Sequence, residues 1–184
     1  MSPMLAALTS EYHVLDGPNA GKLNSVGRPV PYLDIKIFSE DDRELPQGEI
    51  GEIVARGPTV MKGYLNRPDE NAVALRGGWF HTGDMGYFDK EGLLYISGRS
   101  KDMIISGGEN IYPTEIEDAL STHPAVSQVS VIGLPSEKWG EVVHAVVILA
   151  EGANTDADEL IAHCRRNLAG YKCPRGITFQ REPM

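Results

Sequence analysis

The sequence predicts an α+β protein, with a small β-barrel-like region first and a separate α+β domain after it. Three observations carry this. Short apolar–polar alternations punctuated by Gly and Pro fill residues 1–98, a pattern of many short strands. Beyond residue 102 the rhythm changes to helices and strands in turn. The composition, 41% hydrophobic and 23% charged over 184 residues, supports a buried core in one large or two small domains.

Taken in order, residues 33–38 alternate apolar and polar side chains, as a half-buried strand does. Residues 39–48 are a polar turn, and residues 49–55 give the next strand with Ile50, Ile53 and Val54 available to the core. Pro68 followed by Asp69 and Glu70 opens a short helix over 69–75. Trp79-Phe80 leads into Thr82-Gly83-Asp84, read as a tight turn. Residues 86–88 and 93–96 flank Asp89-Lys90-Glu91-Gly92 as a hairpin.

In the second half, residues 103–105 form a short strand before a Gly107-Gly108 turn. Pro113 starts a helix carrying Ile116, Ala119 and Leu120, ended by His123-Pro124. Residues 126–134 and 142–149 are strands rich in Val and Ile. Asp156 caps a helix with Leu160, Ile161, Cys164 and Leu168 on one face, and Gly170 stands where a C′ glycine belongs. Residues 177–179 are the last strand. The domains divide at residues 99–102.

Composition also excludes. A net charge of −9 and a pI near 5.0 argue against a nucleic-acid partner. Against that background Arg165, Arg166, Lys172, Arg175 and Arg181 form a local basic patch. Cys164 and Cys173 lack zinc-type spacing and read as reduced thiols of a cytoplasmic protein. No histidine pair has HxxxH spacing, so no metal site is expected. No signal peptide is expected, since the first residues lack a cationic region, and no apolar run is long enough for a transmembrane helix. Residues 17–23 superficially suggest a phosphate loop, but Asp16 replaces the first glycine and Leu23 the Ser/Thr. No G-x-S-x-G elbow exists. His81, His123 and His144 have no recognisable catalytic partner.

Several residues have both a chemical and a plain reading. Asp84 at a turn tip can accept two hydrogen bonds from a ribose diol, or simply belong to the turn. Arg99 can donate to a ribose or phosphate oxygen, or sit in a surface ion pair. Across one hairpin the two can reach the same nucleoside. Lys101, at the domain junction, is a candidate pivot or an ordinary linker lysine. Gly107 and Gly108 offer a side-chain-free wall to a thin ligand, or serve only the turn. Trp139 can stack on an adenine or cover a tunnel mouth, or be a partly buried core residue. Lys172 and its neighbours can hold phosphates, or be a solvated helix end.

The motifs Ser25-Val26-Gly27-Arg28-Pro29, Gly48-Glu49-Ile50-Gly51-Glu52, Met61-Lys62-Gly63-Tyr64, Gly78-Trp79-Phe80-His81-Thr82-Gly83-Asp84 and the stretch from Gly98 to Glu117 together resemble the adenylate-forming superfamily. That superfamily comprises acyl-CoA synthetases, peptide-synthetase adenylation domains and luciferases. The sequence is most similar to fatty-acyl-CoA and aryl-CoA ligases. Gly133-Leu134-Pro135 and Trp139-Gly140-Glu141 extend the likeness. The resemblance implies a two-step ligase using ATP, CoA and Mg²⁺ on a small carboxylic acid, with a mobile C-terminal domain. It implies ribose binding by Asp84 and Arg99 and a hinge at Lys101. It places a pantetheine tunnel wall at Gly107 and Gly108, and a CoA-facing side at Trp139 and Lys172.

The family's glycine-rich Ser/Thr phosphate loop and its Tyr-Gly-x-Thr-Glu motif have no match here, so the magnesium ligands fall mostly outside. The segment bearing the family's catalytic lysine is not reached before Pro183-Met184, and neither Lys101 nor Lys172 matches it. The resemblance therefore implies a C-terminal fragment: residues 1–98 as the tail of the large domain, 99–102 as hinge, and 103–184 as most of the small one. Its principal partner is then the remainder of its own chain, and alone it is expected to be inactive. A fatty acid is the expected substrate. Two alternatives are a non-catalytic remnant that binds nucleotide or CoA, and an acyl-AMP ligase that loads a carrier protein.

Overall fold

The structure, a computed structural model, describes residues 4–180. Arg181 of the basic patch and the terminal Pro183-Met184 lie outside them. The chain forms two compact units that divide between Ser100 and Lys101.

The first unit opens with β1 (Ala6–Ala7), which pairs antiparallel with β2 (Arg28–Pro29). The intervening loop is tied down by polar contacts. The Ser25 hydroxyl donates to the Leu94 carbonyl at 2.8 Å, and the Lys22 ammonium reaches Glu91 at 2.9 Å and Asp89 at 3.0 Å. Its hydrogen bonds to Glu91 and then Asp89 hold Lys22 above the usual lysine range.

Strands β3 (Asp34–Phe38), β4 (Gly51–Arg56), β5 (Phe80–Phe88) and β6 (Leu94–Arg99) form one antiparallel sheet in chain order. The period-two pattern sorts side chains to its faces. Ile35 opposes Ala55 and Ile37 opposes Ile53, and these bury with Leu94 on one face. Phe38 and Val54 pack with Trp79 on the other. The Trp79 ring meets Phe38 edge-on at 5.5 Å and carries the Arg56 guanidinium 4.3 Å from its centroid. The sheet is open rather than a closed barrel, with β3 and β6 as its edges. Helix α1 (Pro68–Ala74) begins at Pro68 with two acids in its first turn.

The second unit is a sheet with two helices. Strand β7 (Ile104–Ser106) turns at Gly107-Gly108 into β8 (Glu109–Ile111), which the sequence reading missed because its residues are short in number and mostly polar. Helix α2 (Pro113–Ser121) leads to β9 (Val126–Ser136), a long antiparallel partner of β10 (Gly140–Leu149). Helix α3 (Ala157–Asn167) then carries the chain to β11 (Gly176–Phe179), which lies parallel to β10, as a helical crossover allows. Val143, Ala145 and Val147 of β10 point into a core shared with Ile116 and Leu120 of α2 and Leu160 and Cys164 of α3. Each large aliphatic side chain so buried contributes about 1.5–3 kcal/mol. Cys164 and Cys173 are free and buried, and desolvation pushes the Cys164 thiol up to about 11.

Two local expectations are corrected. Gly170 is not the C′ residue of α3: the helix ends at Asn167, Leu168 is extended, and Gly170 opens a separate 3₁₀ turn, Gly170–Lys172. Thr82-Gly83-Asp84 is not a turn tip but lies inside β5. No helix among the described residues is long and apolar enough to cross a membrane.

Candidate functional site

The first candidate site grows out of an irregularity in β5. Glu52 of β4 faces Met85, while Val54 faces His81. Thr82, Gly83 and Asp84 therefore stand opposite the single residue Ile53, which is a β-bulge. Gly83 takes φ +75 there, a conformation that favours glycine. The Thr82 hydroxyl donates to the Ile53 carbonyl at 2.7 Å and accepts the Asp84 N–H at 3.0 Å. The Gly83 N–H donates to Glu52 Oε1 at 3.0 Å.

The bulge carries Asp84 into register with Arg99 of β6, and Arg99 Nε donates to Asp84 Oδ1 at 3.2 Å. These two sequence-predicted residues are thus neighbours across one strand pair. Their side chains are 36% and 54% exposed, so the pair is partly open to solvent. A carboxylate acceptor beside a planar donor fork is what a vicinal diol can use, since each hydroxyl both donates and accepts. A mostly apolar cleft of about 210 Å³ adjoins Asp84, lined also by Leu5, Val26, Ile53, Thr82 and Ile96 among others.

The second candidate site belongs to the second unit. Gly107 and Gly108 are the two-residue loop of the β7–β8 hairpin, with φ +62 and +87. Positive φ at both central residues is the requirement of a type I′ turn. The Gly107 N–H donates to the Trp139 carbonyl at 2.9 Å, and the indole covers the glycine so closely that a Cβ there would lie 2.9 Å from Trp139 Cε3. Nothing stands within 4 Å of a Cβ on Gly108. Trp139 is half-buried, between the two sequence readings. Lys138 Nζ lies 4.8 Å and the Arg175 guanidinium carbon 4.9 Å from its ring centroid, within the cation–π range. Glu141 braces the same region by accepting the Ile105 N–H at 2.8 Å.

Lys172 has a different neighbour. Its ammonium is paired with Glu115 in the first turn of α2, at 2.6 and 2.9 Å from the two oxygens. The basic-patch residue that stacks on Trp139, beside Lys138, is Arg175 and not Lys172. Lys101 is exposed in the 3₁₀ turn Ser100–Asp102. Glu52, Arg76 and Arg175 were missed as contributors. Only the pairing partner across a strand or a turn reveals them, and local sequence does not carry that signal.

Comparison with known proteins adds a family to this geometry. The AMP-binding enzyme family model matches residues 2–65, and the model of the AMP-binding enzyme C-terminal domain matches residues 115–183. The chain belongs to the AMP-binding enzymes. Among curated AMP-binding relatives, it is 49% identical over 160 residues to a feruloyl-CoA synthase of an Amycolatopsis species, covering 87% of this chain and 33% of that protein. It is 50% identical over 162 residues to a long-chain-fatty-acid–CoA ligase of Bacillus subtilis (strain 168), covering 88% and 29%. Among solved structures, the o-succinylbenzoate CoA synthetase of Bacillus subtilis in complex with its acyl-adenylate intermediate superposes with a TM-score of 0.86 at 41% identity, covering 97% of this chain and 35% of that one. The chain thus spans about a third of the length of the relatives it matches.

Proposed function

We propose that this chain is part of an acid–thiol ligase, an acyl-CoA synthetase. In the first step a carboxylate oxygen attacks the α-phosphorus of ATP and pyrophosphate leaves, giving an acyl-adenylate. In the second, the CoA thiol loses its proton and attacks the acyl carbon, a C–S bond forms and AMP departs. The observation that carries the reading is the Asp84–Arg99 pair, an acceptor and a donor fork half open to solvent on adjacent strands. Asp84 accepts from the ribose hydroxyls, and Arg99 donates to the ribose or the phosphate. Relatives named for feruloyl, long-chain-fatty-acid and succinylbenzoate ligation support the class and leave the acid open between fatty and aromatic types.

On the second unit, Gly107 and Gly108 form the wall along which the pantetheine arm passes, and Trp139 with Arg175 faces the nucleotide end of CoA. Lys172 joins that face by exchanging Glu115 for a phosphate. Residues 1–98 act as the end of the large domain, 103–184 as most of the small one, and Lys101 in 99–102 as the pivot. Among the described residues no three His, Cys, Asp or Glu side chains gather for a metal. The two buried free thiols suit a cytoplasmic protein.

The test is acid-dependent ATP–pyrophosphate exchange and acyl-CoA formation by the full-length protein, across fatty and aromatic acids. Both activities are expected, and the 184-residue chain alone should show neither. Absence of both from the folded full-length protein overturns the ligase in favour of a non-catalytic remnant. Exchange with transfer only to a carrier-protein thiol overturns the CoA assignment.

A further inference from the structure

We propose that Glu52 is the positioning residue for the diol-binding carboxylate: one side chain on β4 clamps the Thr82-Gly83-Asp84 bulge and so fixes where Asp84 stands. The proposal rests on the ribose reading of Asp84. Its ground is the way the bulge is held. A bulge takes its extra residues out of the strand ladder, so their N–H groups need partners elsewhere. Glu52 Oε1 accepts the Gly83 N–H at 3.0 Å. Oε2 lies 2.7 Å from His81 Nδ1 and accepts from Arg76 Nη2 at 3.2 Å. A carboxylate only accepts, so His81 presents its Nδ1–H.

One carboxylate thus grips the residues on both sides of Thr82. Thr82 is itself bonded to Ile53, the residue after Glu52. The clamp sits deep: the Glu52 side chain is 19% exposed and that of His81 3%. Arg76 is anchored in turn, with Nε at 3.0 and 3.1 Å and Nη2 at 2.9 Å from the Asp42 carboxylate. That hydrogen bonding keeps Asp42 below the usual carboxylate range. The chain Asp42–Arg76–Glu52 therefore joins the β3–β4 turn, the segment after α1 and β5 at the bulge. None of these three residues needs to touch nucleotide. They act through the backbone that presents Asp84.

The test compares affinity of the full-length protein for AMP and for 2′,3′-dideoxy-AMP by calorimetry. The wild-type protein should prefer the diol ligand, and Asp84→Ala should abolish the preference. Glu52→Gln keeps the volume but puts an amide where Arg76 and His81 need an acceptor. Glu52→Asp keeps the charge but is one methylene short of spanning His81 and Gly83. Each should reduce the preference about tenfold, with dideoxy affinity unchanged and the melting temperature above that of the assay. Loss of stability alone would lower both affinities in step.

If folded Glu52 variants keep the full preference while Asp84→Ala loses it, the positioning role is overturned. If Asp84→Ala also keeps it, the ribose reading fails and takes this proposal with it. A readout needing no variant is the Gly83 amide of the wild-type protein, which should resist hydrogen exchange. Free exchange at that amide overturns the clamp.

Discussion

Gly107 and Gly108 are adjacent and share positive φ, yet their surroundings separate them. At Gly108 an added methyl meets open space, so alanine there costs only the left-handed strain, about 1–2 kcal/mol. At Gly107 the same strain applies and the methyl also meets the Trp139 ring at 2.9 Å. The indole is hemmed by Lys138 and Arg175, so displacing it adds roughly 1–3 kcal/mol of overpacking. Urea unfolding of the chain should therefore show Gly107→Ala to be clearly less stable than Gly108→Ala. Equal losses would mean that the indole does not press on the turn. The glycine turn was legible in the sequence because two adjacent glycines after the short apolar run 103–105 break a strand. The ring above it was not, because Trp139 is 32 positions away and arrives by way of the β9–β10 hairpin.

At the scale of elements, legibility followed how local each stabilising interaction is. Helix α3 was readable because its start is written in adjacent residues: Asp156 Oδ1 accepts the Glu159 N–H at 2.9 Å, and the Thr155 hydroxyl donates to the Glu159 carboxylate at 2.7 Å. Asp156→Ala should lower stability by about 1 kcal/mol, with the loss of helix seen as faster amide exchange in residues 157–160. Unchanged exchange there would show that tertiary packing of Leu160 and Cys164, rather than the cap, starts the helix. The alternation in β3 and the Val- and Ile-rich run of β10 were readable for the same reason. The bulge in β5 was not. Thr-Gly-Asp has the composition of a turn, and only the Glu52 carboxylate, some thirty residues earlier, holds it as a strand irregularity. Gly170 misled in the opposite sense, since α3 ends before a glycine is needed: Leu168 is extended and its N–H bonds the Cys164 carbonyl at 2.8 Å.

For the molecule as a whole, the decisive fact is that the chain divides between Ser100 and Lys101, inside one short 3₁₀ turn. Residues carrying the nucleotide reading, Asp84 and Arg99, lie before the division, and those carrying the CoA reading, Gly107, Gly108, Trp139 and Lys172, lie after it. If one ligase uses both sets in turn by swinging the second unit about residues 100–102, as proposed, the torsions there change between half-reactions. Lys101 is exposed, so its side chain can move through such a change without disturbing either core. Lys101→Pro fixes φ near −65° and restricts Ser100 as well. The fixed value lies within the range of a 3₁₀ turn, and the restriction on Ser100 falls on an exposed residue outside either core, so folding of either unit should be little affected. In the full-length protein, the variant should keep ATP–pyrophosphate exchange within about threefold while thioester formation falls at least about tenfold, since only the second step would require the excluded torsions. Single-turnover measurement of adenylate formation and of its consumption by CoA separates the two. Equal loss in both half-reactions would mean that residue 101 is a linker and not a pivot, whatever the fate of the Asp84–Arg99 pair.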